Sequence, residues 1–190
     1  SDFNFAASAF AASYCNAELS FVDCSTDDWN ADPSLVRDEL VSRRLAGLPL
    51  PKALLLADIY GSLIARDRYL ELRDEFGLVI IEDAAEALGS TWPDGSAAGT
   101  AGDLGCLSFN GNKLITAGAG GAVLCKNRDQ AQAVRHLANQ SKIAGIGYDH
   151  DAVGYNYRMT AVHAALGNGQ LNRIDRVLSA KRRIAHTYRE

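Results

Sequence analysis

The sequence has no excess of positive charge. Its 19 Lys and Arg stand against 23 Asp and Glu, a formal net charge of −4 at pH 7. A nucleic-acid surface needs a basic patch or stripe, so the composition argues against one. No run of eighteen apolar residues is present, and a bilayer-crossing helix needs about that length; no membrane association is expected. The opening stretch SDFNFAASAF has no basic segment and does not read as a signal peptide. Only four cysteines occur, Cys15, Cys24, Cys106 and Cys125. None has metal-ligand spacing, and they read as small buried hydrophobes of a reducing, cytoplasmic compartment. The four histidines, at 136, 150, 163 and 186, are scattered, and no metal site is expected. No internal repeat or low-complexity tract stands out. A dinucleotide-binding glycine pattern fails at Gly118-Ala119-Gly120-Gly121, because Val123 holds the sixth position and a strand follows instead of a helix. A phosphate loop of the P-loop type fails because Leu114 follows Lys113 where Ser or Thr is required.

What is present reads as strands alternating with helices. At 190 residues the chain is long enough for one large domain or most of one, and buries roughly 70% of its unfolded surface. Residues 6–15 are Ala-rich and helix-prone, and residues 18–23 (ELSFVD) alternate as a short strand. Asp32-Pro33 supplies an N-cap and a first-turn proline for a helix that ends near Gly47. Residues 53–57 form a buried strand, 69–76 a helix stopped by Gly77, and 78–83 a strand followed by a short helix from Ala84. A Gly-rich loop, strands at 104–109 and 121–125, and a helix over 128–141 follow. Thr160 caps a long helix expected to kink or break at Gly167 and Gly169. This alternation predicts a three-layer α/β/α fold with a mostly parallel sheet and right-handed crossovers.

The chain is organised around residues 78–125. Asp83 ends the apolar run Leu78-Val79-Ile80-Ile81, and Lys113 follows the run 104–109 after Gly111-Asn112. Ligands of parallel α/β sheets bind outside the carboxyl ends of the strands, so the acid and the lysine could face one crevice. A partly desolvated lysine forms a Schiff base with a carbonyl. A carboxylate opposite it keeps a pyridine nitrogen protonated, which is the pair that pyridoxal phosphate needs. Spacing alone leaves open a solvated acid and a surface lysine.

The segments EDAAEALGS (82–90), AGTAGDLGCLSFNGNK (98–113) and GYNYRM (154–159) resemble the pyridoxal-phosphate-dependent nucleotide-sugar aminotransferases of the DegT type. The resemblance runs in order along nearly the whole chain. It implies the large domain of the fold-type I enzymes over 1–190, with Asp83 pairing with the ring nitrogen of pyridoxal 5'-phosphate and Lys113 holding its aldehyde carbon. It further implies Glu86 near the phenolic oxygen, Ser108 at the phosphate and Phe5 stacked on the ring. Asn156 would reach the phosphate of a second subunit in a homodimer, with Arg158 supporting its loop and Tyr155 and Tyr157 packing. The expected reaction moves an amino group from glutamate to a nucleotide-linked keto-sugar. Dehydratases of the family carry His at the lysine position, so Lys113 argues against dehydration. The alternative is a catalytically silent fragment or a regulatory relative. Ser1 opens the chain close to an apparent strand end, and the chain stops in a helical pattern at Arg189-Glu190. The family's N-terminal phosphate turn and C-terminal small domain are therefore expected outside these residues, and the 190-residue chain is expected to hold the cofactor weakly and not to transaminate by itself.

Overall fold

The computed structural model describes residues 1–145 and 147–189; Glu190, at the expected helical end, lies outside them. The chain divides into two compact units, Ser1–Leu107 and Ser108–Glu190.

The first unit is built on three parallel strands, β1 (Ala53–Ala57), β2 (Val79–Asp83) and β3 (Leu104–Ser108), whose last residue opens the second unit. β1 pairs with β2 from Ala53↔Val79 to Ala57↔Asp83, and β2 with β3 from Ile81↔Leu104 to Asp83↔Cys106. Asp83 therefore sits at the carboxyl edge of the sheet, between two neighbours.

Helix α2 (Pro33–Leu45) starts where the Asp32 side chain accepts the Ser34 N–H at 2.7 Å, with Pro33 in the first turn. Its Val36 and Leu40 lie four apart and bury together. Helix α3 (Arg66–Phe76) buries Tyr69, Leu72 and Phe76 at the same helical spacing and ends at Gly77, whose φ of 70° is left-handed. These side chains form one core with Leu56, Ile64, Leu78, Ile80 and Trp92. Tyr69 is fully buried, and its hydroxyl donates to the Ala31 carbonyl at 2.6 Å. Burial pushes the Tyr69 phenol well above its ordinary range.

Strand β2 is not buried on both faces as its apolar run suggests. Ile80 and Glu82 are buried, while Val79 on the other parity is exposed. Asp83 shares the Val79 parity, and helix α1 (Ala6–Tyr14) approaches it there through Ser8. Helices thus meet both faces of the sheet, as the three-layer expectation required.

Two expected elements of the first unit are absent. Residues 18–23 form no strand; they are held by single bonds, Asp2 N–H to the Val22 carbonyl at 3.0 Å among them. The segment after Asp83 is a turn, closed by the Ala87 N–H on the Ala84 carbonyl at 3.0 Å, and not a helix.

In the second unit, Phe109 N–H donates to Gly120 O at 2.9 Å and Phe109 O accepts from Ala117 N–H at 2.9 Å. These bonds close a loop that leads into β4 (Gly121–Cys125), on which α4 (Arg128–Ala138) packs. Asn127 caps α4 by accepting the Gln130 N–H at 2.9 Å. The helix stops three residues before the expected 141, since Gln140 and Ser141 turn left-handed at φ 64° and 52°. Thr160 does cap α5 (Ala161–Leu171), and α6 (Ile174–Thr187) follows. The break falls at 172–173, beyond Gly167 and Gly169, which the helix carries through.

Candidate active site

Asp83 is held through both of its carboxylate oxygens at the carboxyl edge of the sheet. Ser8 Oγ donates to its Oδ2 at 2.5 Å, and the Ala85 N–H donates to its Oδ1 at 3.1 Å. Its backbone is fixed as well: its carbonyl accepts the Asp58 N–H at 3.0 Å, and the next N–H, of Ala84, reaches the Cys106 carbonyl at 2.9 Å. A carboxylate has about four lone-pair sites, so each oxygen keeps acceptor capacity. Phe5 precedes α1 and is 76% exposed. It is therefore not a core residue and can offer an aromatic face. Glu86 does not share a helical face with Asp83. Its Oε2 accepts the N–H of Tyr60 at 2.9 Å, which ties the turn after β2 to the turn after β1.

Beneath this edge lie two further acids that the sequence did not single out. Glu82 is fully buried on the opposite parity from Asp83. Its carboxylate accepts the N–H groups of Gly99, Ala101 and Gly102 at 2.5, 2.7 and 3.4 Å. A Cβ on Gly105 would stand 1.9 Å from the Gly99 oxygen, so this glycine lets the 99–102 loop lie against β3. Asp58 is 1% exposed, and its Oδ1 accepts the Ile64 N–H at 3.0 Å. Burial pushes its carboxyl up to about 8, and the neighbouring Glu82 charge adds to the effect.

The second unit carries Ser108, Lys113 and Asn156. Lys113 closes a turn in which its N–H donates to the Asn110 carbonyl at 3.1 Å, and its side chain is half-buried. The Ser108 Oγ accepts the Asn110 N–H at 3.3 Å and keeps its own proton to donate. Ile115 and Ala117, just beyond the turn, are buried and anchor it. Asn156 is exposed and forms an antiparallel bridge with Asn139. Arg158 supports this loop as expected, by donating to Asn139 Oδ1 at 3.4 Å. Tyr155 and Tyr157 do not pack into a core. Their rings stack on each other at 5.0 Å, and Tyr157 stays largely exposed.

A family model for the DegT/DnrJ/EryC1/StrS aminotransferases matches residues 1–190. The chain belongs to this family. It is 35% identical to the Bacillus subtilis protein EpsN, named as a pyridoxal phosphate-dependent aminotransferase, over 98% of this chain and 48% of that protein. It is 46% identical to a GDP-perosamine synthase of Vibrio cholerae over 73% of this chain and 37% of the synthase. The crystal structure of a DegT/DnrJ/EryC1/StrS aminotransferase from Brucella abortus superposes with a TM-score of 0.91 at 29% identity, covering 98% of this chain and 50% of that one. The chain spans about half the length of the relatives it matches.

The aminotransferases of this family make pyridoxal phosphate the group to test. Its requirements are a fixed carboxylate, an amine on a well-placed turn, and hydroxyl or amide donors for the phosphate. Asp83, Lys113 and Ser108 are of the required types, and each is anchored as described. The donor set fits. Ser8 was missed because its acceptor lies 75 residues away. The sequence carries no signal for it, because Ser13 stands in the same Ala-rich helix and only the fold buries Ser8.

Proposed function

We propose that the protein of which these residues form part is a pyridoxal-phosphate-dependent aminotransferase that moves an amino group from glutamate to a nucleotide-linked keto-sugar. The observation that carries this is the Asp83 carboxylate at the carboxyl end of β2, held by a donor on each oxygen, in a chain that also presents Lys113 on a tight turn. When bound, pyridoxal phosphate supplies an electron sink for the charge that develops at the α-carbon of the amino donor. Lys113 Nζ would hold the aldehyde carbon of the cofactor, and as a free amine it would take and return the proton at the donor α-carbon. Asp83 accepts the hydrogen bond of the ring N–H and keeps that proton in place. Phe5 would cover one ring face, Glu86 would serve the phenolic oxygen, and Ser108 would donate to the phosphate. Asn156 would serve the phosphate of a second copy in a homodimer. Glutamate leaves as 2-oxoglutarate and the sugar ketone becomes an amine, so one amino group and one oxygen change places.

The sugar substrate follows the named relatives, among them the GDP-perosamine synthase. We also assign residues 1–190 to the cofactor-binding large domain and place the enzyme in the cytoplasm; among the described residues no helix is long and apolar enough to cross a membrane. The test is glutamate-dependent amination of a nucleotide-linked 4-keto-sugar, read as 2-oxoglutarate formed per amino sugar. The expected ratio is one to one, with loss of both products in Lys113→Ala. Cofactor binding without either product would favour a regulatory relative.

A further inference from the structure

Helix α1 is unusual in what it buries. Phe10 and Tyr14 are exposed, and Ser8, 5% exposed, is the one buried residue of α1. Apolar burial normally fixes a surface helix to a sheet. Here the inward position is given to a hydroxyl. A helical serine usually bonds back to a carbonyl of the preceding turn. Ser8 instead donates to Asp83 Oδ2 at 2.5 Å, within the range of a charge-assisted O–H···O⁻ bond. A second acceptor, Asn4 Oδ1, stands at 3.4 Å and is neutral. A hydroxyl has one proton to give, and both distance and charge direct it to Asp83.

We infer that Ser8 is a positioning residue that fixes the Asp83 carboxylate for a pyridine ring and hangs the Phe5 turn of α1 on the same acid. The inference rests on the reading of Asp83 as the ring partner. Two consequences follow from the geometry. First, the donor on Oδ2 holds the carboxylate in one orientation and leaves lone pairs free for a ring N–H. A carboxylate fixed in this way keeps its hydrogen bond to the ring nitrogen, and the ring proton with it. Second, the Ser8 N–H donates to the Phe5 carbonyl at 3.2 Å. Ser8 thereby links the aromatic proposed to cover the ring to the acid proposed to hold its nitrogen.

The test uses the holoenzyme loaded with pyridoxal phosphate labelled with 15N in the ring, and compares the ring-nitrogen resonance among variants. Ser8→Ala and Ser8→Cys remove the strong donor with little change of size. Both are expected to move the resonance part of the way toward neutral pyridine and to weaken cofactor binding about tenfold, the scale of one hydrogen bond to a charged group. Ser8→Thr, which keeps a hydroxyl, is expected to return both. Asp83→Asn sets the full extent of the shift. If Asp83→Asn leaves the resonance where it was, the ring-partner reading fails and Ser8 falls with it. If Asp83→Asn moves it and the Ala and Cys variants do not, Ser8 only packs α1 and the inference alone is overturned. A shift that is the same in all three Ser8 variants, Thr included, traces to disturbed helix packing and overturns it as well.

Discussion

Asp58 should make the first unit lose stability as the solution turns alkaline, and the structure sets the scale. The carboxyl is 1% exposed, it accepts a single N–H, from Ile64, and its Oδ2 has no hydrogen-bond partner among the described residues. Burial raises its folded value from the ordinary carboxyl range of about 4 to about 8. Because the folded value is the higher one, the native state binds a proton that the unfolded chain has released. Unfolding free energy then falls as pH rises between the two values. The contribution is complete below pH ~4 and gone above about 8. From pH 6 to pH 8 the loss should be about 2 kcal/mol. Asp58→Asn removes the titrating group. It should cost about 1–3 kcal/mol at pH 6, because the buried amide gains donors that need partners, but its stability should not change with pH through this group. Urea unfolding at pH 6, 7, 8 and 9 measures both proteins. Trp29 and Trp92 are the two tryptophans of the chain and both lie in the first unit, so their fluorescence reports that unit. The difference between the slopes of the two proteins isolates Asp58 from other titrating groups. Equal slopes would refute the reasoning.

Three further outcomes follow from the structure. Leu40, 2% exposed in the core, should cost about 2–5 kcal/mol as Leu40→Ala, measured by the same urea titration. Gly105→Ala should lower the thermal midpoint of the first unit by circular dichroism, since its Cβ would meet the Gly99 backbone at 1.9 Å, which the buried Glu82 carboxylate holds in place. In the cofactor-loaded protein, Asp83→Asn should leave the cofactor attached but slow amination strongly in a stopped-flow assay, because an unprotonated ring is a weak electron sink.

The parts of the fold that local chemistry specifies were legible in the sequence. Asp32-Pro33, Gly77 and Thr160 each mark a helix end through a bond or a backbone angle formed within a few residues. The strand-end position of Asp83 followed from an apolar run with an acid after it. The parts decided by distant contacts were not legible. Residues 18–23 alternate like a strand but find no ladder partner. Ala84 to Ala87 has helical composition, yet Ala84 N–H is drawn to the Cys106 carbonyl and Glu86 to the Tyr60 N–H, and those bonds hold a turn. Glu82 and Asp83 are adjacent in the motif, but strand parity sends one into the core and the other to the site. Ser8 and Asp58 gain their meaning from partners far along the chain, with Ser8 bonded across 75 residues. Ser108, Lys113 and Asn156 rest on the family resemblance, and the structure adds their local anchoring.

The central claim is that Lys113 is the covalent anchor of pyridoxal phosphate. Borohydride reduction of the cofactor-loaded protein, followed by peptide mapping, tests it most directly, because reduction fixes the cofactor to whichever amine holds it. The account predicts one pyridoxyl-labelled peptide, carrying its label on Lys113 within SFNGNK, and no label in Lys113→Ala. A label on Lys52, Lys126, Lys142 or Lys181, or a Lys113→Ala protein labelled as fully as the wild type, would contradict it.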